Sequence, residues 1–577
     1  MKHLLLILAL VLGISVEAVT IPKGNLYFDN SRTNYTHVQF VYGYDNQNLS
    51  YVRTMKYDGE KWVVDIPESV NNIYRYTFSN TTLEEGEHAQ RFTDLKEYIS
   101  KTINCNRTAT REDYITSGYI FVPESGDNWA QGTWMNLEDW RFIPPTPTSQ
   151  PSGTLPILFI NTENNKEITS KDEYLTATYY LLDTITGMSI GSVDEQKELS
   201  IKGRGNYTWT GFDKKPYRIK LVSGEKILGM NKSKHWALMA HADDNLGFLR
   251  NTTGYMLSDI LGLQWSPSQR PIELVLNGKY WGLYFLTEII RIDKDRVNIT
   301  QQEENCTHPD SITGGWLVEI DNYEEEGNIS FDEGNGQHIM VTIKDPEIMS
   351  WQQRNYITNQ LNELNTAFYE SSSTHWEKIL NLEEAVKYYI VQEIMEDCES
   401  YHGSCYLYKD MDKDGKVSQW YFGPVWDFGN AYNRHQNKFI YDDPIWPQYW
   451  IGQIASFPSF QQKVKEVWRT FYNQSYAIAQ DSIRSMGNQI RYAAANDAIR
   501  WKNHGNVCTN ADMTKAVASM LSNFNWRVAW LQSQWGNKTG IESIYSTSHS
   551  AQKYIQDGNL FILRDGKIYD AHGVRVQ

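Results

Sequence analysis

The chain has 577 residues, 41% of them hydrophobic and 21% charged, and a formal net charge of −16. That length exceeds one ordinary domain and predicts roughly two to four. The composition is that of a globular protein, and the acidic balance argues against nonspecific binding to nucleic acid or anionic membranes.

Met1-Lys2-His3, the apolar run Leu4–Gly13 and then Val16-Glu17-Ala18 open the chain. A basic start, a short apolar stretch and a small residue at the cut define a secretory signal peptide, here residues 1–18. The run is too short to span a bilayer, and no later stretch is apolar enough to do so. We therefore expect an exported protein, secreted or held at the cell surface. The five cysteines, Cys105, Cys306, Cys398, Cys405 and Cys508, show no CxxC pairing and no His/Cys metal spacing. After export they allow one or two disulfides, Cys398–Cys405 being conceivable, and leave an odd thiol. Asn-X-Ser/Thr triplets, as at Asn34, Asn80, Asn206, Asn251 and Asn537, are frequent in this Asn-rich chain.

Residues 19–142 alternate short aromatic or β-branched runs with turn signals, which predicts a β-sandwich of Ig-like size. Leu26-Tyr-Phe-Asp-Asn30 with Trp62 resembles extracellular starch-binding modules. The resemblance implies a polysaccharide partner, while the same aromatics serve equally as sandwich core. Pro144-Pro-Thr-Pro-Thr-Ser-Gln-Pro-Ser-Gly153 cannot join a ladder and reads as a semi-rigid linker over 143–154.

The next domain, 155–535, opens with strands. In Lys214-Lys-Pro-Tyr-Arg-Ile-Lys-Leu221, Tyr217, Ile219 and Leu221 share one face, and Arg218 and Lys220 the other. Asp243–Leu261 reads as a helix with an acidic start and a Gly262 stop. Pro271–Leu286 reads as a hairpin turning at Asn277-Gly278. Helices then dominate: Ser350–Tyr369, Leu382–Glu399, Ser459–Asn473, Ile478 into Tyr492–Arg500, and Ala511–Trp535. A hairpin over Cys405–Trp426 interrupts them. The tail, 540–577, reads as two short strands around Asp565-Gly566, similar to the β tails of exported bacterial proteins. The fold class is α+β: a β-rich lobe followed by a helical lobe, the coarse plan of a kinase-like two-lobe domain.

The run Gln419–Trp426 reads as a buried strand ending at Asp427, before the turn formers Gly429 and Asn430. A carboxylate held at such a rim suits a hard cation such as Mg²⁺, whose remaining ligands are waters or phosphate oxygens. Asp427-Phe-Gly429 also matches the metal-binding tripeptide of protein kinases. Asp410-Met-Asp-Lys-Asp-Gly415 resembles the start of a calcium loop, but Tyr421 stands where a bidentate Glu should close it. We read it as the charged tip of a hairpin. There is no G-x-S-x-G, HExxH or Walker A sequence, so hydrolase and P-loop chemistry lack support.

Five ordered stretches resemble one family: Arg204-Gly-Asn-Tyr-Thr-Trp209, Lys215–Leu221, Leu249-Arg-Asn251, Leu276–Tyr284 with Glu288, and Gly423-Pro-Val-Trp-Asp427. They are similar to the CotH (spore coat protein H) kinases over about 155–535. The resemblance implies an atypical kinase-like fold that binds ATP with Mg²⁺ or Mn²⁺ between two lobes and phosphorylates Ser or Thr of a secreted or surface protein. Asp427 then holds the metal. Lys220 or Lys215 and Arg204 hold phosphates. Arg250, on an otherwise apolar helix face, needs either a structural carboxylate or a ligand. Glu288 either pairs with a lysine or faces water. At the positions where the family has an Asp, and an Asn five residues later, this chain has Glu399 and Ser404. Glu399 would serve as the catalytic carboxylate and Ser404 as a metal ligand. The extra methylene of Glu moves its oxygens by about 1.5 Å, and misplacement on that scale costs roughly 10²-fold. Asp397 is close but pointed elsewhere, and His402 is either a base, a ligand or a structural hydrogen-bonding group. These departures leave a second reading open, an inactive kinase fold used in adhesion or glycan binding.

Overall fold

The computed structural model describes residues 19–21, 23–29, 35–43, 50–59, 61–73, 75–80, 82–88, 119–123, 129–130, 132–136, 147–183, 185–321, 323, 327–332, 338–370, 374–434, 437–442, 449–536, 552–556, 559–564 and 567–570. The signal-peptide stretch, Asn34, Cys105 and Asn537 lie outside these residues. The described chain is a mixed α+β protein. Strands between residues 24 and 136 form two five-stranded sheets. Phe28, Phe40, Phe78 and Phe121 from these sheets make one aromatic core. Trp62 packs against that core rather than standing free of it.

From residue 157 the chain builds a closed barrel. Its strands are β1 (Ile157–Thr162), β2 (Leu175–Leu182), β3 (Lys197–Gly203), β4 (Tyr217–Glu225), β5 (Ser233–Met239), β6 (Gln269–Leu276) and β7 (Lys279–Glu288). The order is β1-β2-β3-β4-β5-β7-β6, with β6 returning parallel to β1. Strand alternation sends Tyr217, Ile219 and Leu221 into the barrel core, so Arg218 and Lys220 project outward. Asn277 (φ 51°) and Gly278 (φ 72°) make the tight β6–β7 turn, whose two positive φ values favour Asn-Gly.

A second sheet combines β8 (Trp316–Ile320), β9 (Ile329–Asp332), β10 (His338–Asp345), β11 (Cys405–Lys409) and β12 (Trp420–Phe422) in the order β9-β10-β8-β11-β12. Among the described residues the α-helices are α1 (Tyr207–Gly211), α2 (Arg250–Leu261), α3 (Trp351–Tyr369), α4 (Trp376–Ile379), α5 (Leu382–Met395), α6 (Tyr449–Ile454), α7 (Pro458–Gln474), α8 (Tyr476–Trp501) and α9 (Met513–Trp535). A Ser350/Gln353 capping box starts α3, and the Asn381 side chain caps α5.

Four expectations change. The helix expected from Asp243 begins at Arg250, because Asp244 folds the preceding segment into a turn: its Oδ1 accepts from Leu246 N–H and its Oδ2 from Arg250 N–H. α5 stops at Met395, where Glu396 turns left-handed (φ 49°), so Glu399 sits in a turn. The tail holds three strands, Gln552–Gln556, Asn559–Arg564 and Lys567–Asp570. Cys405 is a buried free thiol, so the Cys398–Cys405 bridge is not formed.

Two buried ion pairs lock elements together, one between barrel and helix and one between two helices. Lys214 Nζ lies 2.8 Å from Asp497 of α8, both fully buried. Asp497 also accepts from Leu283 N–H of β7. Gly282 is required there, since a Cβ would meet Asp497 Oδ1 at 2.1 Å. Arg527 of α9 donates to Glu393 of α5 at 2.6 Å, again with both side chains at 0% exposure.

The described part of the Pro-rich segment is strapped down. Thr148 N–H donates to Asn496 of α8, whose amide donates back to the Gln150 carbonyl. Ser152 N–H and Oγ donate to Glu273, which also receives the Tyr280 hydroxyl. Glu273 is 0% exposed. Ser152→Ala should therefore destabilise the protein by about 1.5–3 kcal/mol, the usual worth of a hydrogen bond to a charged group. Chemical denaturation would measure it. A change under about 0.5 kcal/mol would mean that the strap is incidental.

Candidate functional site

Asp427 does not end a strand. β12 stops at Phe422, and residues 423–427 run irregularly to Asp427, which is left-handed (φ 58°). The N-terminus of α2 holds this loop in place. Asn251 Oδ1 accepts from Phe428 N–H at 3.0 Å, and Arg250 Nη1 donates to the Gly429 carbonyl at 2.8 Å. Arg250 Nη2 donates to Asn245 and Asn433. Phe428, fully buried, lies on Gly254, where a Cβ would meet its ring at 2.1 Å. Gly254→Val should therefore displace Phe428 and the Asp427 turn. We expect about 1–3 kcal/mol of destabilisation from overpacking, with a matching fall in any activity that depends on Asp427. Unchanged thermal unfolding would contradict this packing account.

Carboxylates gather around Asp427. Asp427 is exposed to solvent, while protein packs closely around its other sides. That crowding raises its pKa, and the Arg204 guanidinium and Gly429 N–H pull it back. Asp243 is pushed up to about 7 by burial, with Asp427 and Asp244 adding to the shift. Burial also raises Glu399, Asn430 lowers it and Asp427 raises it further. Asp397, 1% exposed, is raised well above the usual carboxylate range by burial, then by Glu399 and Asp427. Its Oδ1 accepts from Glu399 N–H, and its buried Oδ2 has no partner.

Cations face these groups from the barrel. Arg204 follows β3, with its guanidinium over the Trp426 ring (5.4 Å) and in the field of Asp427, Tyr255 and Tyr406. Arg218 is also near enough to Arg204 to depress its pKa. On the outer face of β4 and β5, His235 is pushed down to about 4 by burial and by Arg291, Arg218, Lys220 and Arg296. Arg218 Nε, His235 Nδ1 and Arg291 Nε are buried without a partner. Orphaned donors among cations are the chemistry of an anion site.

The expected site residues therefore separate. Asp427, Glu399 and Arg204 come together, and Lys220 joins the cationic face next to Arg218. Lys215 lies elsewhere: its ammonium caps the Trp209 carbonyl of α1 and stands over the Trp209 ring. Arg250 is engaged by Gly429, Asn245 and Asn433 and positions the loop. Glu288 neither faces water nor pairs with a lysine. It is buried, accepts from Ser268 N–H and lies 3.9 Å from Arg296. Ser404 (φ 51°) immediately precedes β11. Sequence reasoning missed Asp243, read as a helix-start acid, and Arg218, whose outward face was seen but not weighed. The Asp410–Gly415 stretch is a hairpin tip with its carboxylates engaged: Asp410 by Thr300, Met411 and Lys413, Asp412 by Lys409 and Ser418.

Carboxylate oxygens of Asp243 and Asp427 meet over Gly429, where a Cβ would fill the space between them, and the Asp397 Oδ2, in the field of Asp427, is buried without a partner. These features fit a hard divalent cation. Among the described residues no group of three His, Cys, Asp or Glu is placed to hold a metal unaided, so a ligand's oxygens would have to complete the shell. No described helix is long and apolar enough to cross a membrane.

The class so defined is an α+β protein whose carboxylate loop faces a cationic barrel wall. A family model described as CotH kinase protein matches residues 201–531, more than half of the chain, and the chain belongs to that family. No curated protein matches the chain.

Proposed function

We propose that residues 155–535 form a two-lobed, kinase-like domain that transfers the γ-phosphoryl group of ATP to a Ser or Thr hydroxyl of a secreted or surface protein. The observation that carries this reading is the meeting of Asp427 with Arg204, carboxylates behind one and cations behind the other. Such a bipolar cleft matches a metal–polyphosphate complex. Asp427 would hold Mg²⁺ or Mn²⁺. The ion supplies charge neutralisation at the phosphate oxygens when bound. Arg204, Arg218 and Lys220 would orient the phosphates by charge-assisted hydrogen bonds. Glu399, its pKa raised by burial, would accept the acceptor proton. The hydroxyl oxygen then bonds to the γ-phosphorus, the bond to the β,γ-bridging oxygen breaks, and ADP leaves. We further propose that residues 1–18 direct export and that 19–142 form an Ig-like sandwich.

A second reading is favoured by one specific observation. Lys215, Arg250 and Glu288 are engaged structurally, and Glu399 and Ser404 depart from the family pattern. In this reading the fold is inactive and serves adhesion or glycan binding. One experiment separates the two. With Mg²⁺ and ATP, an active kinase shows a raised melting temperature and transfers label from the γ- but not the α-phosphate. Transfer of α-label would instead make the protein a nucleotidyltransferase. A thermal shift without transfer, or retardation of the protein in a glycan gel without a thermal shift, would support the second reading.

A further inference from the structure

We infer that Asp243, on the turn between β5 and α2, is the second protein carboxylate of the divalent-cation site at Asp427. This rests on the reading above, because it concerns the same cleft. The geometry is set at Gly429. A Cβ there would lie 3.0 Å from Asp243 Oδ2 and 3.3 Å from Asp427 Oδ1. Two carboxylate oxygens from distant parts of the chain thus converge over a residue without a side chain. A Mg²⁺ ion is held typically by one or two carboxylates, with phosphate oxygens and water completing its octahedron.

The neighbouring aspartate supplies a contrast. Asp244 has both oxygens bonded to backbone N–H groups, at Leu246 and Arg250. It builds the turn, and the turn presents Asp243 to Asp427. The charge balance also calls for a cation. Asp243, Asp397 and Glu399 each lie in the field of Asp427, and Asp397 also in that of Glu399. Of the nearby guanidinium groups, Arg250 is engaged by Gly429, Asn245 and Asn433. The Asp397 Oδ2, at 1% exposure, has no partner. Arg204 faces Asp427, and Arg250 acts on Asp243 and Asp397, so two guanidinium groups stand against four carboxyl groups, and a divalent cation would relieve the repulsion that remains.

The test is Mn²⁺ binding to the full chain, followed by electron paramagnetic resonance with a non-hydrolysable ATP analogue present, on wild type, Asp243→Asn and Asp427→Asn. Asn preserves shape, and unchanged circular dichroism shows that each variant folds. We expect both substitutions to weaken Mn²⁺ at least about tenfold, the lower end of what loss of even an outer-shell partner costs a metal site. Asp243→Glu should recover part of the affinity. Wild-type affinity in Asp243→Asn, alongside weakened binding in Asp427→Asn, would overturn the assignment and leave the kinase reading standing. Wild-type protein that binds no Mn²⁺ and shows no thermal shift with Mg²⁺ and ATP would overturn both.

Discussion

Asp427→Asn is expected to abolish phosphoryl transfer, with a loss of at least about 10³-fold. The substitution keeps the shape of the side chain and leaves the Phe428 and Gly429 anchors on α2 intact. What it removes is a full negative charge facing Arg204. Charge stabilisation by a bound metal ion is worth several kcal/mol at the transition state, and each 1.36 kcal/mol is tenfold in rate. The measurement is γ-label incorporation with Mg²⁺ or Mn²⁺, together with the shift of the melting temperature by ATP. Binding of ATP alone through the cationic wall should persist, so the variant separates metal loss from nucleotide loss. Activity within tenfold of wild type would remove Asp427 from the chemistry.

Arg527→Met is expected to cost about 3–5 kcal/mol of stability, the range for breaking a buried ion pair from one side. Arg527 Nε donates to the Glu393 carbonyl at 2.7 Å, Nη2 to the Glu393 carboxylate at 2.6 Å, and Nη1 to the Lys438 carbonyl at 2.8 Å. The Glu393 carboxylate also takes the Ile440 N–H. One guanidinium therefore joins α9, the end of α5 and the 438–440 segment. Removing it leaves the fully buried Glu393 carboxylate without its guanidinium partner. Adding Glu393→Gln should recover part of the loss, because the orphaned charge disappears as well. If the double variant is no more stable than the single one, desolvation is not the cause. The effect should reach the cleft, since α5 leads through Glu396 and Asp397 to Glu399.

Much of the fold was legible from short-range rules. Asn277-Gly278 demands a tight hairpin, and the turn is there. Ser350 with Gln353, and Asn381 before α5, announce helix starts. The outward face of Arg218 and Lys220 follows from strand alternation alone. The misreadings have a common origin in long-range partners. Asp243 and Asp244 look alike in sequence. The bonds from Leu246 and Arg250 N–H groups to Asp244 make that one structural and leave Asp243 to face Asp427. Lys214 sits beside Lys215 and Lys220, yet it is the one whose ammonium is buried, because Asp497 waits for it on a helix near the other end of the domain. Asp427 was expected at the end of a strand, but the strand stops early and α2 takes over the work of fixing it. No local pattern shows that Gly254 exists to admit Phe428.

The parallel seam between β1 and β6 governs how the molecule can be made. Ile157 must find Glu273, and Leu158 must find Leu274, across nearly the whole barrel segment. Long-range pairing of this kind is slow, because the entropy of closing the loop is lost before any contact rewards it. Until the last barrel strands have been delivered, the nascent sheet carries two raw edges able to pair with other chains. The refolding yield should therefore fall steeply with protein concentration and recover on dilution.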